Sequence, residues 1–344
     1  MAKPHLVARE FTRAELEQFL AVLAPGRTFS GYEYLFGGLS TTTVKIFFDT
    51  DDVNSGQILK IFYPNSVSVV NSMEICSYIH KAEPAIRITY PLCDLQFVEL
   101  TNDTFPRIQF PVVLMSLVPN SVSGDKYGDF SGGKLGSLLA SLHTVHVPKD
   151  SSLQTYVDGG AVDLHMHVSG QFIDRISAVS HSEPRKKFAQ FYQEEFSTVN
   201  LDNFATGIIH GDPFMDNILV DKQSGQATLV DFEDSCIGPL VFDIGSALGG
   251  CVWKSNGNTI NWDYATLFLA GYMSVRCLPE NEICSLVKFM RIGLLCSCAF
   301  RFVSLANTPH SNAYLELFTK AEYLKKNEIE FTLKFKEIID RLAN

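Results

Sequence analysis

Two short acidic motifs lie one hairpin apart in the second half of the chain, and they constrain its fold more than any other feature. The first motif, HGDPFMDN, covers residues 210–217, and the second, VDFE, covers residues 230–233. The segments NILVD and ATLVDF between them predict two strands joined by the loop KQSGQ. An aspartate, an asparagine five positions later and a second aspartate fourteen positions further are therefore expected at one hairpin.

Phosphoryl transfer to a hydroxyl is a reaction that uses these residue types. The reaction needs a carboxylate beside the acceptor and oxygen ligands that hold Mg²⁺ against the phosphates of ATP. Asp212 and Asn217 have the D-x-x-x-x-N spacing of a kinase catalytic loop, which predicts a base and a metal ligand. Asp231 is predicted to be the second ligand, a hard oxygen suited to Mg²⁺. Either motif alone is also typical of an ordinary loop or strand end, but both in this order favour function.

Composition and charge exclude several classes of protein. The 344 residues, 46% of them apolar and 19% charged, predict one large bilobed unit or two packed domains. A net charge of -10 argues against nucleic acid or an anionic membrane as partner. The eight cysteines lie mostly in apolar runs, and the first residues lack a secretory signal, so a cytoplasmic enzyme is expected. We expect this enzyme to be a monomer or a homodimer. Three basic residues interrupt the apolar stretch 283–306, which predicts a core helix and no membrane span.

Hydrophobic periodicity predicts a sheet in the first 115 residues. A capping box, Thr12 to Glu15, begins an amphipathic helix. Strand-like runs YEYLFGG, TVKIFFD and QILKIFY predict an antiparallel meander, VVNSMEICSYIHK a helix, and FVEL and PVVLMSLV two more strands. The expected unit is a five-stranded sheet with one helix packed on it.

The remainder of the chain is predicted to be mostly helical. Helices are expected at 133–146, 162–178, 184–198, 262–275, 280–306 and, broken in two, 312–342. Only the strand pair NILVD and ATLVDF is expected to interrupt them. The prediction is an α+β fold with a small nucleotide-clamping lobe, residues 1–115, and a larger helical lobe, residues 116–344, that carries the catalytic loop and the acceptor site.

HGDPFMDNILVD followed by LVDFEDSCIGPLVFDIG resembles the aminoglycoside phosphotransferase and choline kinase family, small-molecule kinases with a protein-kinase-like fold. The segments IGPLVFDI and AFRFVSL are most similar to the homoserine kinases of that family. The resemblance covers residues 30 to 306, and its motifs are concentrated between 208 and 247.

The resemblance implies roles for five residues and a requirement for ATP and Mg²⁺. Asp212 is then the catalytic base, and Asn217 and Asp231 bind the metal. Asp243 braces the catalytic loop, and His210 orients that loop without reacting. Taken by itself, His210 is more often a structural histidine.

FGGLSTTTVKIF resembles the glycine-containing turn that this family places over the nucleotide phosphates. A GG pair between strands is also typical of a plain hairpin turn, and threonines stand here in place of the family's asparagines. The residues implied to contact phosphate are Gly37, Gly38, Ser40, Thr41 and Thr42.

Lys60 is predicted to hold the α- and β-phosphates. It lies at the inward phase of an apolar strand, where an unpaired lysine is costly, so an acidic partner is expected. Glu74, fourteen residues later in the next helix, is the expected partner. The alternative is an edge-strand lysine that faces water.

VVLMSLVPN matches the place of the hinge between the lobes. The backbone from Ser116 to Val118 is expected to meet the adenine edge, with Met115 behind the pocket. Met115 is equally typical of an ordinary core residue.

A homoserine acceptor carries an ammonium and a carboxylate, so its pocket needs an acid and an arginine. Arg301, in the apolar segment CSCAFRFVSL, is the candidate for the carboxylate, and Asp234 is the candidate acid. The alternative is a structural ion pair of Arg301 with Asp234 or Asp243. Choline kinases instead surround a quaternary ammonium with aromatic rings.

Trp253, Trp262 and Tyr264 are candidates for such a cage, although aromatic residues at this density usually form core. The leading hypothesis is a homoserine kinase, followed by a choline or ethanolamine kinase and then an aminoglycoside kinase. A nucleotide-binding pseudokinase is a different class, but no catalytic position of the motifs is lost. HGD in place of HRD, and DFE in place of DFG, disfavour a protein kinase.

Overall fold

The computed structural model describes residues 10–35, 41–49, 56–62, 68–100, 108–128, 131–157, 164–254, 257 and 259–343. The helices are α1 (Arg13–Leu23), α2 (Ser68–Ala82), α3 (Gly124–Tyr127), α4 (Ser131–His143), α5 (Leu164–Val168), α6 (Ile173–Ser177), α7 (Glu183–Phe196), α8 (Leu240–Cys251), α9 (Trp262–Met273), α10 (Glu280–Ser304), α11 (Leu315–Lys326) and α12 (Glu328–Ala343). The strands are β1 (Phe29–Leu35), β2 (Thr41–Phe48), β3 (Gln57–Phe62), β4 (Gln96–Glu99), β5 (Gln109–Met115), β6 (Ser121–Ser123), β7 (Thr206–Ile209), β8 (Ile218–Asp221), β9 (Ala227–Leu229) and β10 (Cys236–Pro239). The predicted α+β architecture, a sheet lobe before a mainly helical lobe, is confirmed.

The sheet lobe contains the five predicted strands in the order β1-β2-β3-β5-β4, all antiparallel. Helix α1 begins at the predicted capping box, in which the Glu15 carboxylate accepts from the Thr12 N–H at 2.8 Å. Leu16 and Phe19 of α1 pack on one face of the sheet, and α2 covers the other face. The sheet therefore has a helix on both faces, where the sequence predicted one.

Strand alternation decides which side chains face the large lobe. Leu59 and Ile61 of β3 belong to the core beneath α1, whereas Phe62 belongs to the core on the α2 side. Because successive side chains point to opposite faces, Lys60 also lies on the α2 side. Thr43 is its direct partner across β2 and β3 and shares that face.

The two lobes are joined by more than the chain connection. The five-stranded sheet ends at Met115, and the next strand, β6, pairs with β8 of the helical lobe. A second link comes from the segment before β4, where Thr89 N donates to the Leu229 carbonyl at 3.0 Å and Leu229 N to the Arg87 carbonyl at 2.9 Å. The lobe boundary at residue 115 stays a proposal, and the end of the large sheet at Met115 supports it.

Two mostly buried helices, α8 and α10, form the centre of the helical lobe. They approach closely because both contain glycine: a Cβ on Gly245 would lie 2.5 Å from the Phe289 carbonyl carbon, and one on Gly293 would lie 2.2 Å from Ser246 Oγ. Helix α10 is long and apolar enough to cross a membrane, but 78% of its most apolar stretch of 18 residues is buried inside the protein. A core helix was predicted here.

The prediction that one strand pair interrupts the helices is wrong. Strand β7 pairs with β10, and both are four-residue strands that contain glycine or proline, which gives little periodic signal. Helix α8 was also missed, since every residue from Leu240 to Gly249 is buried and no polar face marks the helical period. The helix expected at 162–178 is two short ones, α5 and α6, separated at Gly170 with φ +79°.

Candidate active site

The HGDPFMDN loop runs from the end of β7 to the start of β8, and Asp243 holds its first residues. Asp243 lies in the first turn of α8 and is fully buried. One carboxylate oxygen accepts from the His210 N–H at 2.6 Å, and the other accepts from the Gly211 N–H at 2.9 Å. These are the contacts that the predicted bracing role requires.

His210 connects the two acidic motifs. Its Nε2 lies 2.9 Å from the Val230 carbonyl, and its Nδ1 accepts from the Asp212 N–H at 3.4 Å. Burial lowers the pKa of His210, which keeps the ring neutral, with Nε2 donating and Nδ1 accepting. The ring therefore ties the residue before Asp231 to the backbone of Asp212.

A buried polar chain continues behind Asp243 and was not predicted. His143 Nε2 lies 3.2 Å from Asp243, and its Nδ1 lies 2.7 Å from the Tyr272 hydroxyl. Arg276 donates to that hydroxyl at 3.1 Å and forms a two-point ion pair with Glu282 at 2.7 Å. The members come from three helices, α4, α9 and α10, and the turn between the last two, so no local sequence pattern indicates them.

Asp212 and Asn217 are in direct contact across the loop. Asn217 Nδ2 donates to the Asp212 carbonyl at 2.8 Å and to its carboxylate at 3.1 Å. Because the amide nitrogen faces Asp212, the amide oxygen Oδ1 points to the other side. Burial and the nearby carboxylates of Asp234 and Asp231 raise the pKa of Asp212.

Asp231 occupies a left-handed backbone conformation, φ 66° and ψ 58°, at the start of the turn after β9. Aspartate is one of the few residues that tolerate this region, and such strain is common at functional sites. Its side chain is 40% exposed, and Oδ1 lies 2.5 Å from Lys60 Nζ. Burial raises the pKa of Asp231, but Lys60 outweighs that effect and leaves it below its usual value.

Lys60 points inward from β3 toward Asp231 and Glu233, and Glu74 is not its partner. The ammonium lies between Asp231 and Glu233, and the Glu233 Oε1 distance is 2.8 Å. The Glu74 carboxylate instead accepts a hydrogen bond from the Tyr156 hydroxyl. The helix phase explains the difference, because Glu74 is about 200° around α2 from Ser72, which faces Glu233.

The glycine turn lies largely outside the described residues. Gly37, Gly38 and Ser40 are among the residues not described, so their predicted phosphate contacts stay predictions. Thr41 is described, and its hydroxyl donates to Glu233 Oε2 at 2.5 Å. Thr42 points to the opposite face of β2, toward α1, which does not fit the predicted contact with phosphate.

The hinge backbone presents one acceptor and one donor. Ser116 N donates to the Tyr90 carbonyl at 2.9 Å, and the Val118 carbonyl accepts from the Ser121 hydroxyl at 2.9 Å. Among the described residues, the Ser116 carbonyl and the Val118 N–H make no hydrogen bond. Met115 is buried at the end of β5, on the α2 face of the sheet.

Arg301 lies near the end of α10, and its charge acts on the carboxylates of the catalytic loop. Burial raises the pKa of both Asp212 and Asp216, and the positive charge of Arg301 partly opposes that rise. Within the described part of the chain its guanidinium forms no ion pair, and NH1 donates to the Ser297 carbonyl at 3.0 Å. The alternative of a structural pair with Asp234 or Asp243 is therefore not observed.

The three candidate cage aromatics do not converge. Trp253 packs against Tyr323, and the Lys320 ammonium lies 5.5 Å from the centre of its ring. Trp262 packs against Phe331 and Phe335 in the core. Tyr264 donates its hydroxyl to the Met215 sulfur at 2.8 Å. These contacts are those of core and loop support.

The donor set fits Mg²⁺ that arrives with a nucleotide. The described residues contain no group of three or more His, Cys, Asp or Glu side chains placed to hold a metal ion. Asn217 Oδ1 and the Asp231 carboxylate are two hard oxygens, and Mg²⁺ in nucleotide sites is commonly bound by one or two protein oxygens plus phosphates.

The chain matches the family described as "Phosphotransferase enzyme family" over residues 101–272, which is 172 of its 344 residues. It is 30% identical to a homoserine kinase of Rhodopseudomonas palustris (strain BisB5) over 127 residues, covering 36% of this chain and 37% of that one. A homoserine kinase of Nitrobacter hamburgensis (strain DSM 10229 / NCIMB 13809 / X14) is 27% identical over 188 residues, covering 48% and 56%. The chain thus matches less than two thirds of the length of either relative.

Two solved structures share the fold. The microcompartment-associated aminopropanol kinase matches with a TM-score of 0.59 at 16% identity, covering 94% of this chain and 99% of that one. Amicoumacin kinase, in complex with AMP-PNP, Ca²⁺ and Ami, matches with a TM-score of 0.61 at 14% identity, covering 92% and 94%. These likenesses confirm the protein-kinase-like fold. The family match covers half of the chain and agrees with its two motifs, and this protein therefore belongs to the phosphotransferase enzyme family.

Proposed function

We propose that this protein transfers the γ-phosphoryl group of ATP, in the presence of Mg²⁺, to the hydroxyl of a small amino-containing metabolite, with homoserine favoured. The observation that carries the proposal is one cleft that unites Lys60 of the sheet lobe with the catalytic loop and the Asp231 turn. Mg²⁺, when bound, neutralises the phosphate charge that develops during transfer.

The residues of the chain divide the work by position. Asp212 is the proposed base that accepts the proton of the acceptor hydroxyl, and the two hydrogen bonds from Asn217 orient it. Asn217 Oδ1 and Asp231 would hold the metal. Lys60 would hold phosphate oxygens, since its ammonium lies beside Asp231 at the edge of the same cleft.

The hinge supports adenine as the base. An acceptor at the Ser116 carbonyl and a donor at the Val118 N–H, two residues apart in the segment after β5, match the amino group and ring nitrogen of the adenine edge. A guanine edge presents a carbonyl oxygen in place of that amino group, which would face the Ser116 carbonyl. The pattern therefore favours ATP over GTP.

The acceptor side favours an amino acid over an amino alcohol. Arg301 forms no ion pair with an acid among the described residues, and its positive charge acts on Asp212. A guanidinium in such a place is suited to a substrate carboxylate. The matching homoserine kinases support the same choice. Choline, ethanolamine and aminopropanol have no carboxylate for Arg301, and the aromatic residues proposed for choline are packed elsewhere.

An ADP-release screen tests the proposal. The acceptors are homoserine, serine, choline, ethanolamine, aminopropanol and an aminoglycoside, each with ATP or GTP and with or without Mg²⁺. The highest kcat/KM is expected for homoserine with ATP and Mg²⁺, and the Asp212→Asn variant is the matched control for background hydrolysis. If the protein prefers choline, ethanolamine or aminopropanol, an amino alcohol replaces homoserine as the proposed acceptor. Release of ADP with none of them, together with nucleotide binding, would favour a pseudokinase. Cytoplasmic location and the monomeric or homodimeric state stay predictions.

A further inference from the structure

Glu233, two residues after Asp231 in the helical lobe, makes three contacts with the sheet lobe. Its Oε1 lies 2.8 Å from Lys60 Nζ, and its Oε2 accepts from the Thr41 hydroxyl at 2.5 Å. Its main-chain carbonyl accepts from the Ser72 hydroxyl at 2.9 Å. The residue thus joins β2, β3 and α2 of the sheet lobe to the turn that carries Asp231.

The alternative partner on α2 is directed elsewhere. Ser72 and Cys76, one helical turn apart, are both fully buried and mark the face of α2 that meets the site, because the Ser72 hydroxyl donates to the Glu233 carbonyl. Glu74 lies between them in sequence and so points away from this face. Its carboxylate is bound by the Tyr156 hydroxyl on the exposed side of the helix.

Two carboxylates share the Lys60 ammonium, but only one of them is suited to keep it. The Lys60 side chain is 12% exposed, so it needs a carboxylate throughout. Asp231 is 40% exposed, and a divalent cation bound to its carboxylate would repel the Lys60 ammonium and weaken that pair. Glu233 is 14% exposed, its second oxygen is occupied by Thr41, and it has no comparable access from the cleft.

We propose that Glu233 is the positioning residue for the nucleotide-binding lysine, and that it replaces Glu74 in that role. Glu233 holds Lys60 at the cleft through a contact independent of Asp231. Through its hydrogen bond with Thr41, it also links β2, the strand after the glycine turn, to the turn that carries Asp231. This inference rests on the proposed function, in which Lys60 holds phosphate oxygens.

Nucleotide binding separates this role from a purely structural one. The dissociation constant of AMP-PNP is measured by calorimetry, with and without Mg²⁺, for the wild type and for Glu233→Gln, Lys60→Met and the double variant. Glu74→Gln is the matched control, since it removes an acid from the neighbouring helix. Thermal unfolding of each protein without ligand checks that the fold is kept.

Glu233→Gln is expected to weaken AMP-PNP binding about 10- to 100-fold both with and without Mg²⁺, the range for loss of a hydrogen bond between charged groups. It should cause no further loss in the Lys60→Met background, because its effect passes through Lys60. Glu74→Gln should bind within about twofold of the wild type. Glu233→Asp, which keeps the charge on a shorter side chain, should bind more tightly than Glu233→Gln and replaces it in the cycle if Glu233→Gln does not fold.

Three results would overturn the assignment. The first is an equal loss for Glu74→Gln. The second is a loss for Glu233→Gln of the same size in the Lys60→Met background. The third is a loss that occurs only with Mg²⁺, which would make Glu233 a metal ligand. A wild type that binds AMP-PNP with this pattern and phosphorylates no acceptor would support Glu233 and overturn only the proposed function. A wild type that binds no nucleotide would overturn both.

Discussion

One buried histidine, His167 on α5, is expected to make a distinct contribution to the loss of stability of this protein in mild acid. The ring is 1% exposed and packs between Phe172 and Phe196. Nδ1 lies 2.5 Å from the Tyr192 hydroxyl, while Nε2 is buried without a hydrogen-bond partner among the described residues. Burial, with a smaller effect of Arg175, lowers the pKa of His167 to about 3.

The sign and size of the effect follow from proton linkage. The pKa of His167 is lower in the folded state than its usual value of about 6.5, so the unfolded chain binds more protons below that pH. Stability is therefore lost as the pH falls through 6.5, and the loss continues until the pH approaches 3. Between pH 7 and pH 5 the cost is about 2 kcal/mol of unfolding free energy for this one group.

The test compares the wild type with His167→Asn. Asparagine keeps a polar atom near the Nδ1 position, toward Tyr192, but does not titrate. Urea unfolding at pH 7 and pH 5, followed by circular dichroism, gives the change in unfolding free energy for each protein. The wild type should lose about 2 kcal/mol more than the variant. His181→Asn, at an exposed position, is the control and should follow the wild-type curve. Equal losses in the wild type and His167→Asn would refute the reasoning.

Three further predictions concern the proposed reaction. Asp212→Asn should lower kcat by roughly 10²- to 10⁴-fold and leave ATP affinity nearly unchanged, the effect of losing a general base; weaker ATP binding with unchanged kcat would place Asp212 in the nucleotide site. Asp231→Asn should abolish turnover at every Mg²⁺ concentration with little change in melting temperature, since asparagine tolerates the left-handed backbone at this position. Near wild-type activity of this variant in saturating Mg²⁺ would contradict the metal assignment. Arg301→Lys should raise the KM for homoserine about tenfold and leave the KM for ethanolamine unchanged, because an ammonium replaces the planar guanidinium that can bind a carboxylate at two points. Equal changes in KM for both acceptors would exclude a contact between Arg301 and the carboxylate.

Local patterns predicted the sheet lobe because its strands alternate. In β2 the buried Val44, Ile46 and Phe48 recur at every second position, and the capping box fixed the start of α1. The same reasoning failed for α8, which is buried on all sides from Leu240 to Gly249 and so has no polar stripe. It also gave no signal for β7 and β10, two four-residue strands that pair with each other.

Sequence spacing predicted those parts of the site whose residues lie in the same short segment of the chain. Asp212 and Asn217 are five residues apart in one loop, and the structure brings them into contact. The partner of Lys60 depends instead on the rotation of α2 about its axis, which residue spacing across the preceding connection does not determine. Glu233 stands in the DFE motif beside Asp231, so the signal was present in the sequence, but its side-chain direction depends on the turn after β9.

The separation of the two acidic motifs in space is set by a backbone contact as well as by the hairpin between them. Gly211 has φ +86°, and a Cβ at this position would lie 2.2 Å from the Asp234 carbonyl oxygen. The catalytic loop and the Asp231 turn therefore touch through their main chains, at a distance that any side chain on residue 211 would increase. Phosphoryl transfer depends on placing the acceptor oxygen within roughly 3 to 3.5 Å of the reacting phosphorus. Glycine between His210 and Asp212 thus meets a geometric requirement of the proposed reaction: it lets the proposed base and the proposed metal ligand be held by backbone atoms, which move less than side chains.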